Sequence, residues 1–464
     1  MKDFDLIIRG GNIVTETSQF KADVCVKDGR IAALSQSKDV SASQVIDASG
    51  KLVFPGIIDA HVHMQIMQLG KYATADDFTS GTSAAAAGGV TTIIDFFTPM
   101  NQQGLKETFL KRRKLADTQV LVDYGLHCSV TKDSDLNGEI DVLIDEGVTS
   151  FKLFQVYGNS ALSDSELFSA LEVIGKKGAL ATLHAENGLV AELLTDRFRR
   201  QGKKKAIYHA RSRPPFVEAA CIQTAINFSR ECGTYLYIVH TSSGQGLEAI
   251  KSAQKAGQFV FSETCPQYLL LSEQNLAQQD GNLFLCTPPL RKKTDQEALW
   301  SGLRENHIQT LATDHCCFSL KQKLDAPAFY QAPGGVGSIE LLLPLIYSEG
   351  VAKGRIQLQQ MVRSLCFNPA AIFGLLSKKG QIVPGADADL VIFDPEVSWE
   401  VDPSQLHGKD DYSVYQGFSL KGKVEQTISR GEIIFDKGKV TGKPGRGQFI
   451  KRNLPEMGIL KNIF

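Results

Sequence analysis

The sequence predicts an α/β protein: a (β/α)8, TIM-like barrel with a small composite β-sandwich domain formed by the N- and C-terminal segments. Three observations carry this prediction. The middle of the chain alternates apolar, β-branched runs with helical stretches, and eight strand runs can be counted there. Both chain ends are rich in short strands broken by Gly and Asp turns. No glycine-rich phosphate loop follows the first strand of the alternating region, which argues against a doubly wound open sheet. The expected division is 1–54 and 372–464 for the composite β domain and 55–371 for the barrel.

In chain order, Asp5–Arg9 is an apolar run stopped by Gly10-Gly11. Ala22–Val26 and Arg30–Leu34 flank Lys27-Asp28-Gly29, a hairpin with an Asp-Gly turn. The eight barrel strands are expected at Gly56–His63, Thr91–Phe97, Val120–Cys128, Thr149–Phe154, Leu180–His184, Tyr235–His240, Phe259–Glu263 and Ile308–Asp314. Helices are expected between them, at Ser163–Lys176 and Ala210–Cys232 among others, and the basic stretch Arg197–Lys205 reads as a solvated helix end. Asp389–Phe393, Thr427–Ser429 and Ile433–Phe435 are the closing strands.

The 464 residues carry 50 Lys+Arg against 51 Asp+Glu, which argues against a protein that binds nucleic acid mainly through phosphates. No run approaches the roughly 18 apolar residues of a membrane span. The N-terminus has charges where a signal peptide needs an apolar centre, and nine scattered cysteines form no CxxC pair. Reduced thiols and a cytoplasmic location are the expectation.

In a barrel, strand C-termini converge on one mouth. The expected ends here are His61 and His63, Lys152, His184, His240 and Asp314. His61 and His63 are two apart, so on a strand they face the same side. A lone HxH pair is weak evidence for a metal, but four histidines and an aspartate recurring at strand tips are hard to explain as packing. Lys152 lies in a run that reads as a buried strand. It is either a lysine whose ammonium snorkels to the mouth or one carboxylated by CO2 to an anionic carbamate able to bridge two ions. Together these residues point to two divalent ions roughly 3.5–4 Å apart, most consistent with zinc. His61, His63 and Asp314 would hold one, His184 and His240 the other, with modified Lys152 bridging.

The motifs carrying these residues resemble the hydantoinase/dihydropyrimidinase group of cyclic amidohydrolases along the whole chain. They include Phe54–His63, Gly88–Phe96, Ser150–Phe154, His184–Asn187, Ser212–Pro215, Tyr237–His240, Glu263–Leu269, Pro288–Arg291, Ala312–Cys316, Pro384–Leu390 and Gly445–Phe449. The resemblance implies a carboxylated Lys152, two metals and a homotetramer. It assigns Tyr157 as hydrogen-bond donor to the developing oxyanion and Asp314 as proton shuttle. The implied reaction opens 5-substituted hydantoins or dihydropyrimidines to N-carbamoyl amino acids through a metal-bridging hydroxide. An allantoinase-like ureide hydrolase is the alternative, disfavoured because allantoinases generally lack the tyrosine. Non-catalytic scaffold relatives lose metal ligands, and here all six are present.

Substrate contacts implied by the resemblance are main-chain groups of Thr287 and Gly334. Here the chain departs from the group, which commonly carries Ser at the first position and Asn at the second; Cys317 also stands where Pro is frequent, and Leu341 where Asp is common. Met64, Ile66, Met67 and Leu69 make the first loop apolar, with Phe96, Phe97, Leu153, Phe154 and Val156 near the next ones. No Arg follows His63 closely, as a dihydroorotase-like enzyme would have, so an apolar or aromatic ring substituent is expected.

Overall fold

The computed structural model describes residues 2–37, 39–99 and 103–464. Eight parallel strands form one sheet in sequential order: Ile57–Asp59, Val90–Phe97, Asp123–Ser129, Ser150–Phe154, Leu180–His184, Tyr235–Ile238, Val260–Thr264 and Thr310–Leu311. Between the last and the first, Val62 and His315 form an isolated parallel bridge that closes the ring. All eight expected strands are present. Strands such as Val90–Phe97 are buried at every position, because one face meets the barrel interior and the other the surrounding helices.

Several boundaries differ from the sequence-based expectation, each for a local reason. The first strand stops at Asp59, so His61 and His63 lie on the extended segment beyond it. The sixth stops at Ile238 and the eighth at Leu311, because His240 (φ 38°) and Asp314 (φ 52°) adopt left-handed backbone, which ends a strand. The helix expected over Ala210–Cys232 is two helices, Ile207–Ser212 and Pro215–Cys232. Pro214 is extended (ψ 158°) and Pro215 opens the second helix, where its missing N–H costs nothing. The helix expected from Ser163 starts as the residues dictate, with Ser163 and Glu166 forming a reciprocal capping box.

The two chain ends build a sandwich. Phe4–Arg9, Asp23–Lys27, Arg30–Ser35 and Ala42–Asp47 form a four-stranded sheet, and Asp28 and Gly29 both take positive φ in the hairpin turn. A seven-stranded sheet joins Asn12–Val14, Gln19–Lys21 and Leu52–Pro55 from one end to Leu390–Glu400, Ser419–Ser429, Glu432–Asp436 and Lys439–Val440 from the other. Their shared core includes Leu6, Ile8, Val24, Val53, Leu390 and Ile428.

A buried ion cluster ties barrel to sandwich. Lys379 contacts Asp389 at 2.6 Å, Asp123 at 2.7 Å and Asp387 at 3.0 Å, and Arg430 adds a second cation on Asp123. Burial opposes the Lys379 charge, yet the three carboxylates hold its ammonium above the ordinary range. Lys379→Met should destabilise the chain by about 3–5 kcal/mol, because it strands buried carboxylates; a lowered midpoint of thermal unfolding is the readout, and an unchanged midpoint contradicts it.

Candidate metal centre

The mouth of the barrel holds a cleft of about 1960 Å³. His61, His63, Lys152, His184, His240 and Asp314 all line it, as do Tyr157, Phe154, Thr287 and Gly334. Ligating atoms of His61, His63 and Asp314 lie within 4.8 Å of one another. His61 Nε2 is 3.2 Å and His63 Nε2 3.1 Å from Asp314 Oδ1. The His184 and His240 rings stand edge to face at 4.4 Å, and the His240 ring is 5.4 Å from that of His61.

Carboxylates behind the imidazoles decide which nitrogen faces inward. His61 Nδ1 lies 2.7 Å from Glu263 Oε1 and His184 Nε2 lies 2.8 Å from Glu186 Oε2. With those nitrogens donating, His61 Nε2 and His184 Nδ1 are left as lone-pair donors. Burial first, then the Lys152 charge, holds His61 well below its usual range. Burial and His184 do the same for His240. Neutral imidazoles are the form that binds a metal.

Glu263 also accepts the His240 backbone N–H at 2.9 Å and the Tyr237 hydroxyl at 2.8 Å, and Glu186 is held by Arg213 at 3.1 Å. Sequence reasoning assigns neither glutamate a role, although a signal exists. Glu263 sits at the end of the seventh barrel strand, and Glu186 follows His184 by two residues.

Lys152 does not snorkel. It is 1% exposed, its Nζ has no hydrogen-bond partner among the described residues, and it lies over the Phe96 and Phe154 rings at 5.4 and 5.3 Å. Burial pulls its ammonium down to about 8, against Glu263 and Asp314. Burial likewise opposes the charge on Asp314, but His61, His63 and Lys152 keep its carboxyl below the ordinary range.

His240 Nδ1 is likewise buried without a hydrogen-bond partner among the described residues. Imidazole nitrogens gathered on a carboxylate oxygen form a set of ligands that a divalent cation fits, and the unpartnered Nζ could join it only after losing its positive charge. Asp76, His315 and Cys317 form another close group. There His315 Nδ1 accepts backbone N–H groups of Ser338 at 3.2 Å and Ile339 at 3.4 Å. Its proton is therefore on Nε2, aimed at Asp76 Oδ2 3.0 Å away, and that nitrogen has no lone pair for a metal. The Cys317 thiol donates to the same carboxylate at 3.2 Å, which accounts for a cysteine at this position.

Tyr157 reaches the cleft from the loop after the fourth strand on left-handed backbone (φ 75°, ψ 60°), its ring 5.1 Å from that of His184. The residue is 47% exposed, and a phenol, with its ordinary pKa of about 10, keeps its proton near neutral pH. Met64 departs from expectation. It is fully buried, and its sulfur fills the space beside Gly81, so Ile66, Met67 and Leu69 form the apolar cleft wall instead.

His209 also lines the cleft, with Nε2 2.9 Å from the Cys286 carbonyl. His127 bonds Ser150 and the Ala60 carbonyl inside the barrel, so both its nitrogens are used away from the cleft. Arg112 and Arg213 line the cleft and are engaged by Asp95 at 2.8 Å and Glu186 at 3.1 Å.

A barrel whose strand ends present this donor set defines a metal-dependent hydrolase. A model of the amidohydrolase family matches residues 52–434. A D-hydantoinase of Geobacillus stearothermophilus is 40% identical over 453 residues, covering 96% of each chain. The solved D-hydantoinase of Bacillus sp. AR9 superimposes with a TM-score of 0.94 at 37% identity, covering 98% of this chain and 100% of the other. The dihydropyrimidinase of Brevibacillus agri gives 0.93 at 35% identity, over 97% and 99%. The chain belongs to the amidohydrolase family, and within it to the cyclic amidohydrolases.

Proposed function

We propose that this cyclic amidohydrolase opens 5-substituted hydantoins and dihydropyrimidines to N-carbamoyl amino acids, using two zinc ions and a carboxylated Lys152. The observation that carries this reading is the unpartnered Lys152 Nζ among four imidazoles and Asp314. Its lowered pKa favours the free amine, whose lone pair adds to the carbon of CO2 with loss of one proton, leaving an anionic carbamate. His61, His63 and Asp314 would hold one ion and His184 and His240 the other, with the carbamate between them. When bound, such ions lower the pKa of water and polarise a carbonyl.

The remaining steps belong to the chain. Asp314, kept ionised by His61 and His63, takes a proton from the attacking water and delivers it to the ring nitrogen as the C–N bond breaks. The Tyr157 hydroxyl donates to the carbonyl oxygen as charge develops there. Main-chain groups of Thr287 and Gly334 hold the amide edge of the ring. Ile66, Met67, Leu69 and Phe154 receive an apolar substituent.

The test is metal analysis together with a ring-opening panel of hydantoin, 5-phenylhydantoin, dihydrouracil and allantoin. Bound zinc, with 5-phenylhydantoin turned over faster than allantoin, is the expected result. Absence of metal, or no turnover of any ring, overturns the reading.

A further inference from the structure

Gln68 lies on a small hairpin, Met67–Gln68 paired with Tyr72–Ala73, in the loop that follows His63. Its neighbours Met67 and Leu69 are 64% and 61% exposed, while its own side chain turns into the cleft. Gln68 Nε2 donates to the Gly334 carbonyl at 2.8 Å, and the Gly334 N–H donates back to Gln68 Oε1 at 3.1 Å. Both polar groups of Gly334 are therefore taken by one carboxamide.

The geometry of that carboxamide matters. A primary amide presents an N–H and a C=O on the same side of the C–N bond. A ring forces its own amide into the same cis arrangement, so Gln68 offers Gly334 the edge that a cyclic amide offers. Two of the positions where the chain departs from the group, Thr287 and Gly334, meet here, since a Cβ added at Gly334 would stand 3.2 Å from Thr287 Oγ1. Without a side chain at 334, the peptide stays open to close approach from the hairpin.

We propose that Gln68 is a built-in occupant of the amide-recognition site and thereby a specificity-determining residue. A ring must displace the Gln68 carboxamide to reach Gly334, so only rings with a full N–H and C=O edge repay that exchange. The inference rests on the proposed reading of Gly334 as a substrate contact.

Steady-state kinetics on the metal-loaded enzyme tests it, with Gln68→Met keeping the side-chain length and Gln68→Ala removing it. Both variants should lower KM for hydantoin about fivefold or more, the worth of two hydrogen bonds no longer competed for, while kcat moves far less. A residue that merely props up the Gly334 loop gives the opposite sign. A raised or unchanged KM in both variants, with the native enzyme active, therefore overturns this inference alone. A native enzyme inert on every ring of the panel instead overturns the functional reading beneath it.

Discussion

Lys152→Ala should lower kcat/KM for ring opening by at least about 10³-fold, roughly 4 kcal/mol of barrier, and should strip most of the bound metal. The size follows from position. Lys152 is buried in the cleft that the four imidazoles and Asp314 also line, where its proposed carbamate would supply the bridging anion. Alanine would remove the anion that the proposed pair of cations needs between them and leave a cavity beside Phe96 and Phe154. Metal content by mass spectrometry and rate by product assay are read on the same preparation. A variant that keeps both metals and full rate removes the carbamate from the mechanism.

Asp314→Asn should cut kcat by roughly 10²–10⁴-fold, the usual worth of a positioned proton carrier. The amide preserves shape but cannot accept a proton from water. The acid limb of the native rate profile should also flatten, because its ionisable carboxyl is gone. The sign follows from the structure: neighbouring His61 and His63 hold the Asp314 carboxyl below its ordinary range, so activity is lost only as pH falls well into the acid region. A variant within tenfold of the native rate at every pH contradicts the shuttle role.

Much of this architecture is legible in the residues. Eight β-branched runs announce eight strands because each is buried on both faces, and a buried strand has little freedom in composition. The six cleft residues are legible for the same reason that a barrel is useful, since strand ends meet. The backbone at those ends is less legible. Nothing local in Tyr237–Thr241 announces a left-handed His240; the kink is held by Glu263, which accepts its N–H from another strand. Met64 reads as a cleft residue because it follows His63, but its direction is set by Gly81 on a helix. The Gln68–Gly334 pair is invisible to any local pattern, because its partners come from distant loops.

The sandwich has a consequence for how the protein is made. Leu52–Pro55 leaves the ribosome early, yet its partner Leu390–Glu400 emerges only after the whole barrel. At about 5–20 residues per second, that interval lasts on the order of tens of seconds. For that time Val53 and Phe54, both fully buried in the finished protein, have an open strand edge beside them. A nascent chain halted before Leu390 should therefore engage chaperones through its first segment, and release of the last strands should end that dependence.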